Sequence, residues 1–182
     1  MIWLILGLAL WSAAHLFKRV APEARARLGD PGKGAVALAL VLAVVLMVIG
    51  VRGAPFIAVW TPPAFMTHIN NLLVLIAFYL FAIAGQGVWL DRKIRHTMLT
   101  GMKTFALAHL LVNGDLVTMI LFGGLMAWAV VEVILINRAE PEWTAPAPAV
   151  RRKEFTFPVA TIVVFGVAAW IHSLLGYYPF PS

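Results

Sequence analysis

Residues 115–136 read "DLVTMILFGGLMAWAVVEVILI", and inside that run Glu132 is the only ionisable side chain after Asp115. At ~1.5 Å per helical residue the stretch crosses a hydrocarbon core of ~30 Å, and it is too uniformly apolar to form one face of a water-soluble helix. Five more stretches have this character, giving six candidate spans at about 1–17, 35–51, 65–84, 97–112, 115–136 and 156–176. The first and fourth are short, so tilt, snorkelling or burial against neighbours must help them across. Composition agrees: 62% of the 182 residues are hydrophobic and 12% charged, against roughly 45–50% and 25% in soluble domains. Because lipid offers no partner for backbone polar groups, the chain is predicted to be all-α, a polytopic membrane protein with about six transmembrane helices.

Lysine and arginine set the expected orientation, since basic loops stay on the cytoplasmic side. "KRVAPEARARLGDPGKG" holds Lys18, Arg19, Arg25, Arg27 and Lys33; the third connection holds Arg92, Lys93, Arg95 and Lys103; the fifth holds Arg138, Arg151, Arg152 and Lys153. Arg52 alone falls on the other side. Both termini are thus expected in the periplasm of a bacterial inner membrane. Residues 1–17 have no Lys or Arg before the apolar run and "SAAHLFKRV" places the charges after it, which suits a retained helix better than a cleaved leader. The net charge of +6 follows from these loops, with no interleaved aromatic or Gly-rich motif, so nucleic acid is not an expected partner.

A single helical domain over 1–182 is expected, with a Pro/Ala-rich cytoplasmic linker at about 139–154, "AEPEWTAPAPAVRRKE", before the last helix. In "VWTPPAFMTHINNLL" Pro62 and Pro63 suit a turn opening the third span, with Thr61 as its cap. "NGD" at 113–115 ends the fourth span, where Asn and Gly tolerate left-handed geometry, and Asp115 is placed to cap the fifth. Gly123, Gly124 and Ala127 give the fifth span a small face for close helix approach.

Zero cysteine excludes disulfides, iron–sulfur clusters, Cys-ligated zinc and covalent c-type haem. The chemical inventory is five histidines: His15, His68, His96, His109 and His172. Ionisable groups inside a membrane are costly to bury and are functional candidates by default. In "FALAHLLVNGD" the stripe Met102, Phe105, His109, Asn113 sets one imidazole on an otherwise apolar face, the surrounding a haem wants. The plain alternative is a histidine hydrogen-bonded to the backbone of a neighbouring helix. His15 shares its face with Leu8, Trp11 and Ser12, and Ser12 is a local partner for its ring. His68 lies beside Asn70 and Asn71, His96 in a basic loop, and His172 among Phe165, Ala168, Ala169 and Gly176. Glu132 is expected to pair with Arg138 or a neighbouring basic loop, proton relay being the minor alternative. No Walker loop, H-E-x-x-H or G-x-S-x-G occurs, and "GDPGKG" lacks the spacing of a phosphate loop.

"HLFK", "WTPPAFMTH", "KIRHTMLTGMKTFALAHLLVNGDL" and "ILFGGLMAWAVVE" resemble the NnrU family of bacterial membrane proteins, over roughly residues 1–138, with no motif in 139–182. The resemblance implies a part in denitrification, in support of nitrite and nitric oxide reduction, and reductase components as partners. The family is also similar to the 15-cis-zeta-carotene isomerases, membrane enzymes with haem b, whose ligating histidines lie in the motifs that hold His15 and His109 here. His68 and His96 sit in further shared motifs, so the resemblance places them around the same centre. Two departures stand out: Ala106 replaces the isomerase cysteine, so thiolate exchange at iron cannot occur, and Thr97 follows His96 where relatives commonly have proline.

Depth tests the His15 and His109 pair. Counted at 1.5 Å per residue, His15 lies ~5 Å from the inner boundary and His109 ~18 Å if its helix starts at His96, or ~9 Å if Lys103 snorkels at that boundary. Without the later start, His68, His109 and His172 share an outer layer and form the competing set. Three functional readings follow: a haem b protein serving nitrogen-oxide reduction, an isomerase of a conjugated polyene or other lipid-soluble substrate, and a cofactor-free assembly or scaffold protein.

Overall fold

The computed structural model describes residues 1–180. Seven α-helices account for most of them: α1 (Ile2–Val20), α2 (Pro22–Arg27), α3 (Pro31–Arg52), α4 (Met66–Ile83), α5 (Thr97–Val112), α6 (Leu116–Ala139) and α7 (Arg151–Leu174), with a 3-10 turn at Asp91–Lys93. Five of them, α1, α3, α4, α6 and α7, are long and apolar enough to cross a membrane. The shorter α5 has 16 residues, ~24 Å of helix, as its short apolar run predicts. Large apolar side chains such as Leu38, Val41 and Val48 on α3 and Val159, Ile162 and Val163 on α7 are exposed, the arrangement of helices that face lipid. The chain is an all-helical polytopic membrane protein.

Helix starts follow local chemistry, with three departures from expectation. Pro31 and Pro22 occupy first-turn positions of α3 and α2, where the missing N–H costs nothing. The short α2 lies in what reads as a loop, and α7 begins at Arg151 because "RRKE" is a polar first turn carried beyond the apolar run. Asp115 caps α6 as expected, Oδ1 accepting from the Thr118 N–H at 2.9 Å. Thr61 does not cap α4: Phe65 stands at that position. The turn is instead closed by Met66 N–H on the Pro63 carbonyl and Thr67 N–H on that of Ala64. Nor is "NGD" left-handed. Asn113 has φ −116°, Gly114 is not among the glycines with positive φ, and its carbonyl accepts from Val59 and Trp60 N–H at 2.7 and 3.1 Å.

The helices fall into two compact units. Residues 1–60 and 114–141 form the first, in which α1 packs against α3 and α6. The α1–α3 crossing is close: a Cβ on Gly7 would lie 2.8 Å from the Ala43 carbonyl oxygen, and one on Gly50 would overlap the Leu4 backbone. Small residues let helix backbones approach where no hydrophobic effect drives them together. Of the expected small face on α6, Gly124 meets Leu8, whereas Gly123 looks into open space.

Residues 61–113 and the segment from 142 onward form the second unit, in which α4 packs along both α5 and α7. Its basic end is organised by Asp91, which is 3% exposed. That carboxylate accepts from Gly85 N–H (3.2 Å), Gly87 N–H (2.9 Å) and Thr97 Oγ1 (2.8 Å). Gly87, with φ +74°, takes a conformation that side chains disfavour. Its carbonyl receives Ala149 N–H at 2.9 Å, and Arg92 Nε donates to the Pro146 carbonyl at 3.1 Å. Lys153 Nζ reaches Gln86 Oε1 at 3.0 Å, while Glu154 accepts from Trp89 N–H at 2.7 Å. The linker and the start of α7 are thereby fastened to one loop.

Candidate functional site

Helical spacing gathers the site. On α4, Asn70, Val74 and Phe78 recur at steps of four, Phe105 and His109 do so on α5, and Phe165, Ala168, Ala169 and His172 share one face of α7. All of them, with Asn71 and Pro179, line one cavity of about 70 Å³ in the second unit. Phe105 packs on the His109 ring, centroids 4.3 Å apart, and stacks with Phe78 at 6.4 Å. Asn71 Nδ2 donates to the Pro179 carbonyl at 2.7 Å, holding the segment after α7 over the cavity. Asn70, oriented to satisfy both ends of its carboxamide, donates to the Ala108 carbonyl at 3.0 Å and so ties α4 to α5.

Both cavity histidines are set in the same way. His109 Nδ1 lies 2.9 Å from the Phe105 carbonyl and His172 Nδ1 2.8 Å from that of Ala168. A carbonyl only accepts, so each Nδ1 carries a proton, and in the neutral ring the lone pair is on Nε2. Anchoring one ring nitrogen on a backbone carbonyl is how proteins fix the tautomer and direction of a metal-binding imidazole. The partner of His109 Nδ1 is therefore its own helix one turn back rather than a neighbouring helix.

The remaining histidines are placed elsewhere. His68 is exposed near the start of α4 and does not line the cavity. His96 is half-buried at the cap position of α5. His15 belongs to the first unit, its Nδ1 on the Trp11 carbonyl at 3.0 Å rather than on Ser12. Its ring is flanked by Trp11 and Trp128, with centroids at 4.3 and 4.5 Å. One turn below, Arg19 Nε lies 3.9 Å from Glu132 Oε1, and Arg19 Nη1 donates to Glu140 at 2.6 Å. Glu132 thus pairs with Arg19 in the last turn of α1, part of the neighbouring basic segment, and not with Arg138. The indole N–H groups of Trp11 and Trp128 and Glu132 Oε2 are buried without a hydrogen-bond partner.

Among the described residues no three His, Cys, Asp or Glu side chains converge as a metal site. Two imidazoles suit an iron whose other four ligands come from a macrocycle, and the phenylalanine walls suit the ring's flat faces. The residue types, imidazole and phenylalanine, are those a haem b site uses. At about 70 Å³ the cavity is smaller than the ~300–1,000 Å³ of ordinary ligand pockets, and in this conformation it does not hold a macrocycle. The residues that sequence reading passed over, Val74, Phe78 and Pro179, are apolar and carry no local signal of a site.

A multi-span helical membrane protein with an imidazole-bearing apolar cavity is the class that fold and site define. Comparison with known families takes this to a particular one: the chain belongs to the NnrU family, whose model, described as NnrU protein, matches residues 3–179. The match extends past residue 138, where the motifs stop, and takes in α7 with His172. No curated protein and no solved structure matches the chain.

Proposed function

We propose that this chain is an inner-membrane haem b protein that supports nitrite and nitric oxide reduction, with His109 as an iron ligand and both termini in the periplasm. NnrU membership supports the nitrogen-oxide role. The observation that supports the cofactor is the His109 imidazole, its Nδ1 proton held by the Phe105 carbonyl 2.9 Å away, on an aromatic wall. Haem, when bound, supplies a one-electron centre or a Lewis-acidic iron. His109 then presents Nε2 in a fixed direction, and the hydrogen bond to Phe105 raises its basicity as a ligand. Phe78, Phe105 and Phe165 exclude water from the centre. Reductase components are the partners this role requires.

Absorption spectra of the detergent-solubilised full-length protein, oxidised and dithionite-reduced, test the proposal. The expected result is a Soret band with sharp reduced α and β bands, weakened in His109→Ala. A colourless protein that stays colourless after haem reconstitution overturns it and favours an assembly or scaffold role.

A further inference from the structure

We propose that the outer face of the first turns of α7 binds an anionic phospholipid, with Arg151 and Arg152 on its phosphate and Phe155, Val159 and Ala160 along an acyl chain; this stands apart from the haem reading. The first turn of α7 divides its side chains between two directions. Lys153 Nζ and Glu154 Oε1 turn to the loop that Asp91 organises, on Gln86 Oε1 at 3.0 Å and the Trp89 N–H at 2.7 Å. Glu154 stands three residues after Arg151, the spacing of a local ion pair, yet it is engaged by the loop instead. Both arginines are exposed, and no hydrogen bond or ion pair holds either guanidinium among the described residues. Arg152 continues down its side of the helix into Phe155, Thr156, Val159 and Ala160, and these five residues line a shallow groove of about 440 Å³. Thr156 Oγ1 donates to the Arg152 carbonyl at 2.9 Å, so below the guanidinium the groove is apolar.

Depth and charge agree on the occupant. Trp89 is 66% exposed, and its backbone bond to Glu154 sets it beside the first turn of α7; exposed indoles of a membrane protein gather at headgroup level. On the hydrocarbon side of that level Phe155 and Val159 are 65% and 62% exposed, which suits acyl chains, and on the other side stand the two guanidinium groups. A phospholipid meets both in one molecule, whereas an acidic protein segment meets the charges alone. A zwitterionic headgroup brings its own ammonium against the arginines, so the complement is a lipid of net negative charge. α7 also begins without a side-chain cap, so a phosphate there faces backbone N–H groups at the positive end of the helix dipole. The chain just before this turn is fastened by Ala149 N–H on the Gly87 carbonyl and Arg92 Nε on that of Pro146, which fixes where the two charges are presented.

Native mass spectrometry of the full-length protein in detergent micelles, titrated with dioleoyl phosphatidylglycerol or dioleoyl phosphatidylethanolamine, decides the point. Wild type is expected to retain phosphatidylglycerol in preference. Arg151→Gln with Arg152→Gln is expected to weaken that binding by about fivefold for each arginine removed, with phosphatidylethanolamine unaffected, whereas Arg151→Lys with Arg152→Lys keeps most of the preference. Arg25→Gln with Arg27→Gln, which removes the same charge from the first unit, is expected to leave the preference intact. An equal loss in that control overturns the site in favour of general attraction by net charge. Equal retention of the two lipids by wild type overturns the proposal outright.

Discussion

Glu132 is 6% exposed, and the cation within ion-pair distance is Arg19 on another helix. Removing one partner of a buried pair strands the other charge, at a cost of about 3–5 kcal/mol. Arg19→Ala is accordingly expected to lower the unfolding midpoint of the purified protein, and Arg19→Ala with Glu132→Gln to recover most of the loss; equal midpoints for the two variants would show that the carboxylate is not what suffers. This pairing was only half legible in the sequence. The depth of Glu132 demanded a basic partner, but choosing Arg19 over Arg138 needs the packing of α1 on α6, which no local pattern encodes. Phe105 and His109, by contrast, were legible as a pair, because a step of four on one helix fixes their contact. The presence of Trp128 beside His15 was not, being long-range.

At the scale of elements, capping and loop docking can be tested separately. Asp115→Ala removes the acceptor of the Thr118 N–H and is expected to destabilise α6 by about 1 kcal/mol, whereas Asp115→Asn keeps the cap and most of the stability, as chemical or thermal unfolding would register. Gly87→Ala faces two obstacles, a φ of +74° and overlap of its new Cβ with the Ala147 carbonyl oxygen. The expected outcome is release of the linker, read as faster proteolysis between residues 140 and 150; an unchanged cleavage rate would mean that the hydrogen bonds to Arg92 and Gln86 hold the linker without it. Spans such as α5 were readable to the residue, since apolar runs bounded by polar residues mark where lipid begins. The short α2 and the docking of Gly85 and Gly87 on Asp91 were hidden. The docking depends on a buried carboxylate gathering backbone N–H groups, which composition does not announce.

For the molecule as a whole, thirteen of 14 Lys and Arg residues belong to the segments expected at one membrane face. The absence of native cysteine makes single-cysteine labelling a clean test. Ala145→Cys is expected to resist a membrane-impermeant maleimide in intact cells, and Ala54→Cys to react; the reverse pattern would invert the topology. The membrane class came directly from apolar run length; of the six spans expected, five are helices long enough to cross and α5 is shorter, while α2 was not read at all. The division into two units did not come from run length, because each is built from segments separated in the chain, 1–60 with 114–141 and 61–113 with 142 onward.

That interleaving also sets an order in time. The ribosome delivers α4 and α5 before α7, so the wall bearing His109 is made while the wall bearing His172 is still untranslated. About 60 residues separate the two histidines, an interval on the order of 3–12 s at ~5–20 residues per second. During those seconds the face of α5 that carries Phe105 and His109 is without the cover that α7 later gives the cavity.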